Sequence, residues 1–280
     1  MEHLLEIQNL NKSYDKSDFN LSNISLTLDP NEVVGVIGKN GSGKSTLFNT
    51  LVGNRFKDSG NISYFGQQIT DNDDAHKENI GVVFDDLRIP NKLTLNDVSK
   101  VFANIYGTWH HDKFFSIIKD FELPANNEIK SFSRGMRMKA ALAIALGHDS
   151  KILILDEATA GMDASGREEV IELLEDYVSE GNGILISSHI SEDIEQLATK
   201  LVFMKDGRII LEEDKQYLLD HYGIVEQPES DFNLPNDAVV ATRKRKDMRV
   251  TLVNHREAVS NARPLDSIDD ATKLIMRGEH

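Results

Sequence analysis

Residues 33–37 read Val33-Val34-Gly35-Val36-Ile37, an unbroken apolar run that ends in Gly38-Lys39-Asn40-Gly41-Ser42-Gly43-Lys44-Ser45-Thr46. A short apolar run with a glycine-rich exit predicts a buried strand, a tight loop and then a helix, here one that carries Leu47 and Leu51 and stops near Gly53. The octet from Gly38 to Ser45 matches the phosphate-loop pattern in the context that pattern requires. Glycines let backbone N–H groups turn inward round phosphate oxygens, the helix N-terminus adds positive potential, and Lys44 supplies a mobile cation. Ser45 offers its hydroxyl to a magnesium ion. Gly38, Lys39, Asn40, Gly41, Ser42, Gly43 and Thr46 complete the expected phosphate cradle.

Short β-rich runs alternate with amphipathic helical patterns to about residue 211, the order expected of an α/β chain with a mostly parallel sheet. Residues 151–155 and 183–187 are two more buried-strand candidates with polar residues at their carboxyl ends, where ligand groups gather in open α/β sheets. Between them Val170, Ile171, Leu174, Tyr177 and Val178 recur at helical spacing before a stop at Gly181. Residues 94–130 hold two helical patterns and no strand, which predicts a helical insertion, about 90–147, standing off the sheet. The stretch 226–237 is polar with two prolines and reads as a linker. Residues 238–242 and 249–253 are strand-like around a turn at 243–247, and Ser267-Ile268-Asp269-Asp270 caps a final helix. The expected division is a main α/β domain over 1–215, a helix and linker over 216–237, and a small α+β extension over 238–280.

The chain has 280 residues, 46 acidic against 31 basic, for a formal charge of -15, and no cysteine. That charge repels a phosphate backbone, so nucleic acid is not an expected partner. A thiolate metal site and a disulfide framework are excluded, in keeping with a reducing cytosol. No apolar run approaches the roughly 18 residues needed to span a bilayer, so any membrane path is expected from another polypeptide. Within this acidic background the run Arg243-Lys244-Arg245-Lys246 reads as a solvated turn rather than a nucleic-acid patch.

Asp156 and Glu157 follow the apolar run Ile152-Leu153-Ile154-Leu155, and a strand end holds both carboxylates over one crevice. There Asp156 suits magnesium and Glu157 suits polarisation of an attacking water, although an Asp-Glu pair after a strand also caps helices. With Thr159-Ala160-Gly161-Met162-Asp163 and Ile186-Ser187-Ser188-His189, the motif order over about residues 4–211 resembles the ABC ATPase family. The resemblance implies a P-loop NTPase cassette with an N-terminal β subdomain, binding ATP and Mg2+. It also implies Tyr14 stacking on adenine, Asp163 in the loop beside the nucleotide, and His189 on the γ-phosphate. Without the family, Tyr14 is an ordinary strand residue and His189 an ordinary loop histidine.

Two segments depart from the family pattern. Phe132-Ser133-Arg134-Gly135-Met136 stands where the family has Leu-Ser-Gly-Gly-Gln, keeping Ser133 and Gly135 for a γ-phosphate held by an opposite subunit. Arg134 either adds charge to a transferring phosphate or closes the loop on an acidic neighbour. Ile80-Gly81-Val82-Val83-Phe84-Asp85 aligns with the glutamine loop, with Asp85 as a third magnesium ligand beside Ser45 and Asp156. The resemblance implies a second cassette, alike or different, packed head to tail, and integral membrane permease subunits that place the chain on the inner face of the cell membrane. The C-terminal extension resembles the short appendages of bacterial exporter ATPases of the bacitracin and peptide-export type, and that resemblance favours an exporter. A soluble ABC ATPase and a nucleotide-sensing module of low turnover are the competing readings; retained Lys44, Asp156, Glu157 and His189 argue for an ATPase.

Overall fold

The computed structural model describes residues 2–14, 17–70, 73–188 and 191–279. The chain opens with β1 (Leu5–Tyr14) and β2 (Ser17–Leu28), then runs through β3 (Val33–Ile37) into α1 (Lys44–Leu51). Next come β4 (Ser59–Tyr64), β5 (Gln67–Gln68) and β6 (Ile80–Val83), followed by α2 (Leu95–Phe102), α3 (His111–Asp120) and α4 (Arg134–Leu146). The pattern then alternates: β7 (Ile152–Asp156), α5 (Ala164–Ser179), β8 (Gly183–Ser187), α6 (Ser191–Leu197) and β9 (Lys200–Lys205). The chain closes with β10 (Arg208–Asp214), α7 (Lys215–His221), β11 (Gly223–Pro228), β12 (Val239–Arg245), β13 (Met248–Val253), β14 (Arg263–Pro264) and α8 (Ile268–Arg277).

The central sheet has six strands in the order β10-β9-β3-β8-β7-β6, parallel except for the β9–β10 pair. Period-two alternation splits its apolar residues between two cores. Val34, Val36, Ile152, Ile154 and Leu185 face the antiparallel sheet β2-β1-β4-β5 and α1, packing on Leu5, Ile7, Leu47 and Phe48. Val33, Leu153, Leu155, Ile184 and Ile186 face the other helices. Three of the parallel strands, β3, β7 and β8, are buried along their whole length, which is why they appear in the sequence as continuous apolar runs.

The helical insertion stands off the sheet only in part. α2 and α3 pack on α4, and α4 lies directly on β6. Gly81 permits that approach: a Cβ there would sit 2.5 Å from Leu153 Cδ2 and 2.6 Å from the Ala145 carbonyl oxygen. Ala140 to Leu146 are therefore buried in the same core as the sheet. α2 starts in a capping box, with Thr94 accepting from the Asp97 N–H and Asp97 accepting from Thr94.

The reading of 226–237 as a linker is corrected in its first three residues. Glu226, Gln227 and Pro228 belong to β11, which pairs antiparallel with β13 from Gly223↔Val253 to Pro228↔Met248 in a third sheet, β12-β13-β11-β14. The sequence hides this strand because its apolar part is only Ile224 and Val225, and its partner is a separate stretch well downstream. Nor is the extension separate from the rest. Leu218, Tyr222, Ile224, Ala241, Leu252, Ile268, Leu274 and Ile275 join the helix-side core, Lys205 Nζ donates to the Gly278 carbonyl at 3.1 Å, and the Ile268 N–H donates to Glu195 Oε2 at 3.3 Å. The expected strands and the helix from Ser267 are present, but the turn expected over 243–247 is corrected: β12 runs on through Arg245 in register with β13, leaving only Lys246 and Asp247 as the turn.

Candidate functional site

Between β3 and α1 the backbone passes through left-handed conformations at Gly41 (φ +82°) and Gly43 (φ +113°), which L side chains rarely adopt. A Cβ on Gly43 would also meet Leu21 at 2.8 Å and Phe19 at 3.0 Å, so glycine lets β2 approach the loop. Lys44 opens α1 with its side chain buried, and its Nζ donates to the Gly38 carbonyl at 2.6 Å and more weakly to that of Lys39 at 3.4 Å. Burial pushes the Lys44 ammonium below its ordinary pKa, while Glu157 and then Asp156 pull it back up.

Those carboxylates stand at the end of β7, with β8 between it and β3. Asp156 is 6% exposed and accepts a hydrogen bond from Ser187 Oγ at 2.6 Å, from the neighbouring position on β8. Glu157 has a left-handed backbone (φ +61°), a conformation that costs a non-glycine residue roughly 1–2 kcal/mol. Its N–H donates to the Ser187 carbonyl and its carbonyl accepts from Ala160, which hold that turn in place.

Asn40 to Thr46, Asp85, Asp156 and Glu157 line one cleft of about 520 Å³. Phe19, Asn49, Phe84, Arg88 and Arg134 line it too. Of these, Phe19, Asn49 and Arg88 lie outside the motifs of the sequence. Phe19 carries one usable signal, its alternation with buried Leu21 on β2. Tyr14 does not line the cleft: it is half-buried at the end of β1, with Lys12 Nζ 5.4 Å from its ring centre. Gly38, Lys39 and Asp163 do not line it either: the Gly38 and Lys39 carbonyls accept from Lys44, and Asp163 caps α5 by accepting from the Gly166 N–H at 2.9 Å. His189 lies outside the described residues.

The donor set fits a phosphate ligand and its metal. Ser42 Oγ is a buried hydroxyl with no hydrogen-bond partner among the described residues, in a loop wound so tightly that a Cβ on Gly38 would collide with it. An orphaned buried hydroxyl costs roughly 1–3 kcal/mol, which a phosphate oxygen would recover. Ser45, Asp85 and Asp156 place hard oxygen atoms on the same cleft, the chemistry magnesium prefers. Asp85 is largely exposed and 3.6 Å from Arg88. Among the described residues no group of three or more His, Asp or Glu side chains is placed to hold a metal ion by itself.

Two ties hold the cleft walls. Arg137, on the first turn of α4, donates from Nε to Asp86 at 2.9 Å and from its terminal nitrogens to the Leu87 carbonyl and Asn91, so it clamps the loop after β6 to α4. The bond from Arg137 holds the Asp86 carboxyl below its ordinary pKa. Buried Asp193 on α6 accepts from Thr159 and Ser188, linking the turn after Glu157 to the segment after β8. Ser133 caps α4 by accepting from the Met136 N–H at 3.2 Å, is itself exposed, and does not line its own chain's cleft. Gly135 leans on the Gly161–Met162 turn, where a Cβ would sit 3.3 Å from the Gly161 carbonyl oxygen.

A phosphate loop on β3, paired carboxylates at the end of β7 and a helical arm carrying Ser133 define an ATP-binding cassette. The chain belongs to the ABC transporter family: the family model of that description matches residues 21–160. It is 35% identical over 213 residues to the lantibiotic transport ATP-binding protein SrtF of Streptococcus pyogenes, covering 75% of this chain and 91% of that one. It is 28% identical to the ABC transporter ATP-binding protein YtrB of Bacillus subtilis, covering 82% and 79%. Among solved structures, cbiO1 from Clostridium perfringens, part of the ABC transporter complex cbiONQ, superimposes with a TM-score of 0.67 at 28% identity, covering 79% and 92%. The dimeric post-hydrolysis structure of the cassette MJ0796 bound to ADP and Pi shares the fold, with a TM-score of 0.67 at 24% identity over 75% and 98%. The protein is an ATP-binding, ATP-hydrolysing subunit of an ABC transporter, and it works with ATP and Mg2+. Among the described residues no helix is long and apolar enough to cross a membrane.

Proposed function

We propose that this subunit powers export through separate membrane subunits, from the inner face of the cell membrane, and that it hydrolyses ATP between two cassettes packed head to tail. The observation that carries this reading is the pairing of one cleft holding Lys44, Asp156 and Glu157 with a signature serine turned away from it. Ser133 stands exposed at the positive end of a long helix, with its hydroxyl proton available to a phosphate on a facing chain. Export is favoured because similar proteins are named for lantibiotic transport, linearmycin resistance and Nod factor export.

In this mechanism the loop N–H groups, Ser42 and Lys44 hold the phosphates, and the left-handed turn at Glu157 aims its carboxylate at a water in line with the γ-phosphate. Ser45, Asp156 and Asp85 would hold magnesium, which neutralises charge on the phosphate oxygens. Phe19 takes the aromatic position beside the nucleotide, and Asp193 holds Ser188, the residue before His189. A membrane-subunit helix docks where Phe84, Ile89, Phe102 and Tyr106 line an apolar groove of about 170 Å³ beside exposed Val101 and Ile105. The Arg137 clamp passes displacement there to α4 and Ser133.

The test is solution mass with magnesium and ATP. Glu157→Gln keeps size and hydrogen bonding while losing the base, so it accumulates a trapped dimer, either alone or once a different cassette is added. Adding Ser133→Arg places bulk and charge against the partner's phosphate and abolishes that dimer. A dimer that persists in the double variant contradicts the head-to-tail arrangement.

A further inference from the structure

The third sheet and α8 enclose a second cavity, of about 340 Å³, in the C-terminal part of the chain. One row across the sheet contributes Arg243, Val250 and Glu226, which are register partners on β12, β13 and β11. Arg245, two residues along β12, points to the same side, and β14 adds Arg263 at the edge. From above, α8 presents Asp270, Lys273, Leu274 and Arg277, one stripe at i, i+3, i+4 and i+7 spacing. Ile224, Val250 and Leu274 form the apolar floor.

Five cationic side chains and two carboxylates line this cavity, in a chain whose formal charge is -15. The fold pairs the cations round it: Arg263 lies 3.4 Å from Asp270, Lys273 is bonded to Asp269 at 2.6 Å, and Arg249 is bonded to Glu229. Arg243, Arg245 and Arg277 have no carboxylate partner among the described residues. Elements distant in sequence thus converge to bring three guanidinium groups round one opening. Five cations against two carboxylates leave an excess of positive charge round one concave opening, and that excess attracts an anion. A solvated turn, as the sequence alone suggests for 243–246, needs no cavity and no contribution from α8.

We infer that this cavity is a binding site for a phosphate-bearing ligand, separate from the ATP cleft, held by Arg243, Arg245 and Arg277 with its apolar part on Ile224, Val250 and Leu274. The guanidinium fork matches phosphate oxygens two at a time, and arginine keeps its charge at all relevant pH. Because α8 also packs on β9 and α6, occupancy bears on the elements behind the ATP cleft. The shared chemistry is a phosphate group beside an apolar patch, supplied by a free phosphorylated compound or by a phospholipid head group.

The experiment uses the full chain with its ATP cleft saturated by magnesium-ADP. One arm titrates inorganic pyrophosphate by calorimetry with magnesium in excess; the other sediments the protein with phosphatidylglycerol or phosphatidylcholine vesicles. Binding to pyrophosphate identifies a free ligand, and binding to phosphatidylglycerol vesicles alone identifies a head group. Either supports the site if affinity falls roughly tenfold or more in Arg243→Ala/Arg277→Ala, by less in Arg277→Lys, and not at all in Lys244→Ala on the opposite face of β12. Absence of binding in both arms overturns the proposal. So does equal binding by the wild type and the Arg277→Lys and double-alanine variants, or a loss in Lys244→Ala matching that of the double variant.

Discussion

His148, just beyond α4, is 1% exposed, and neither of its ring nitrogens has a hydrogen-bond partner among the described residues. Its ring stands edge-on to Tyr106, 4.0 Å between centres, on the wall of the groove assigned to the membrane subunit. Burial pushes its pKa down to about 4; among its neighbours Glu78 and Asp149 pull it up, and Lys113 and His110 push it down. The unfolded chain protonates this side chain near pH 6.5, so between about pH 6.5 and pH 4 the unfolded state binds more protons than the folded one. The stability that neutral His148 contributes is therefore complete above about pH 6.5 and is lost as the pH falls toward 4. At about 1.36 kcal/mol per pH unit, the full loss is about 3 kcal/mol, of which about 2 kcal/mol falls between pH 7 and pH 5. His148→Leu removes the titration and keeps an apolar side chain of similar size. Urea unfolding of both proteins across this range isolates the effect of His148 and its coupling to Glu78 and Asp149, because groups away from it, Asp86 and Asp97 among them, titrate in both and cancel. The stability of wild type relative to His148→Leu should fall by about 2 kcal/mol from pH 7 to pH 5. A difference constant to within a few tenths of a kcal/mol would refute the burial argument.

Two further outcomes follow from the geometry. Asp85→Gln keeps an oxygen on the cleft wall while removing a charge, so it should shift the magnesium concentration needed for half-maximal ATPase more than it shifts nucleotide affinity; identical magnesium titrations would remove Asp85 from the metal site. Deleting residues 226–280 cuts β11 in half and bares Leu218, Tyr222 and Ile224, so the remainder should unfold at markedly lower urea than the full chain, and an unchanged midpoint would show that the extension is an independent unit.

What can be read from the sequence is what local physics writes there. The strands at 33–37, 152–156 and 183–187 are buried on both faces and announce themselves as apolar runs, and α5 announces itself by period. Lys44 and Ser45 open the helix that follows one such run, and Asp156 and Glu157 close another, so their convergence is legible in the sequence alone. Phe19, Asp193 and the Arg137–Asp86 clamp are not, since each acts through partners remote in the chain, and Arg88, whose contacts Asp85 and Phe84 are local, belongs to no motif. The same reason hides β11, whose pairing with β13 is non-local, and the C-terminal cavity, which needs β12 and α8 together. Tyr14 illustrates the opposite case: a motif position suggests a role at a cleft whose aromatic lining comes instead from Phe19 and Phe84.

The central claim is that Glu157 activates water over phosphates held by Lys44 and its loop. The direct measurement is ATP affinity and single-turnover hydrolysis in the same preparation of Glu157→Gln, with Lys44→Ala alongside and any required partner cassette present. A general base contributes about 10²–10⁴-fold, so Glu157→Gln should bind ATP as the wild type does and hydrolyse it slower by that factor, whereas Lys44→Ala should lose affinity. Hydrolysis by Glu157→Gln at the wild-type rate would contradict the account.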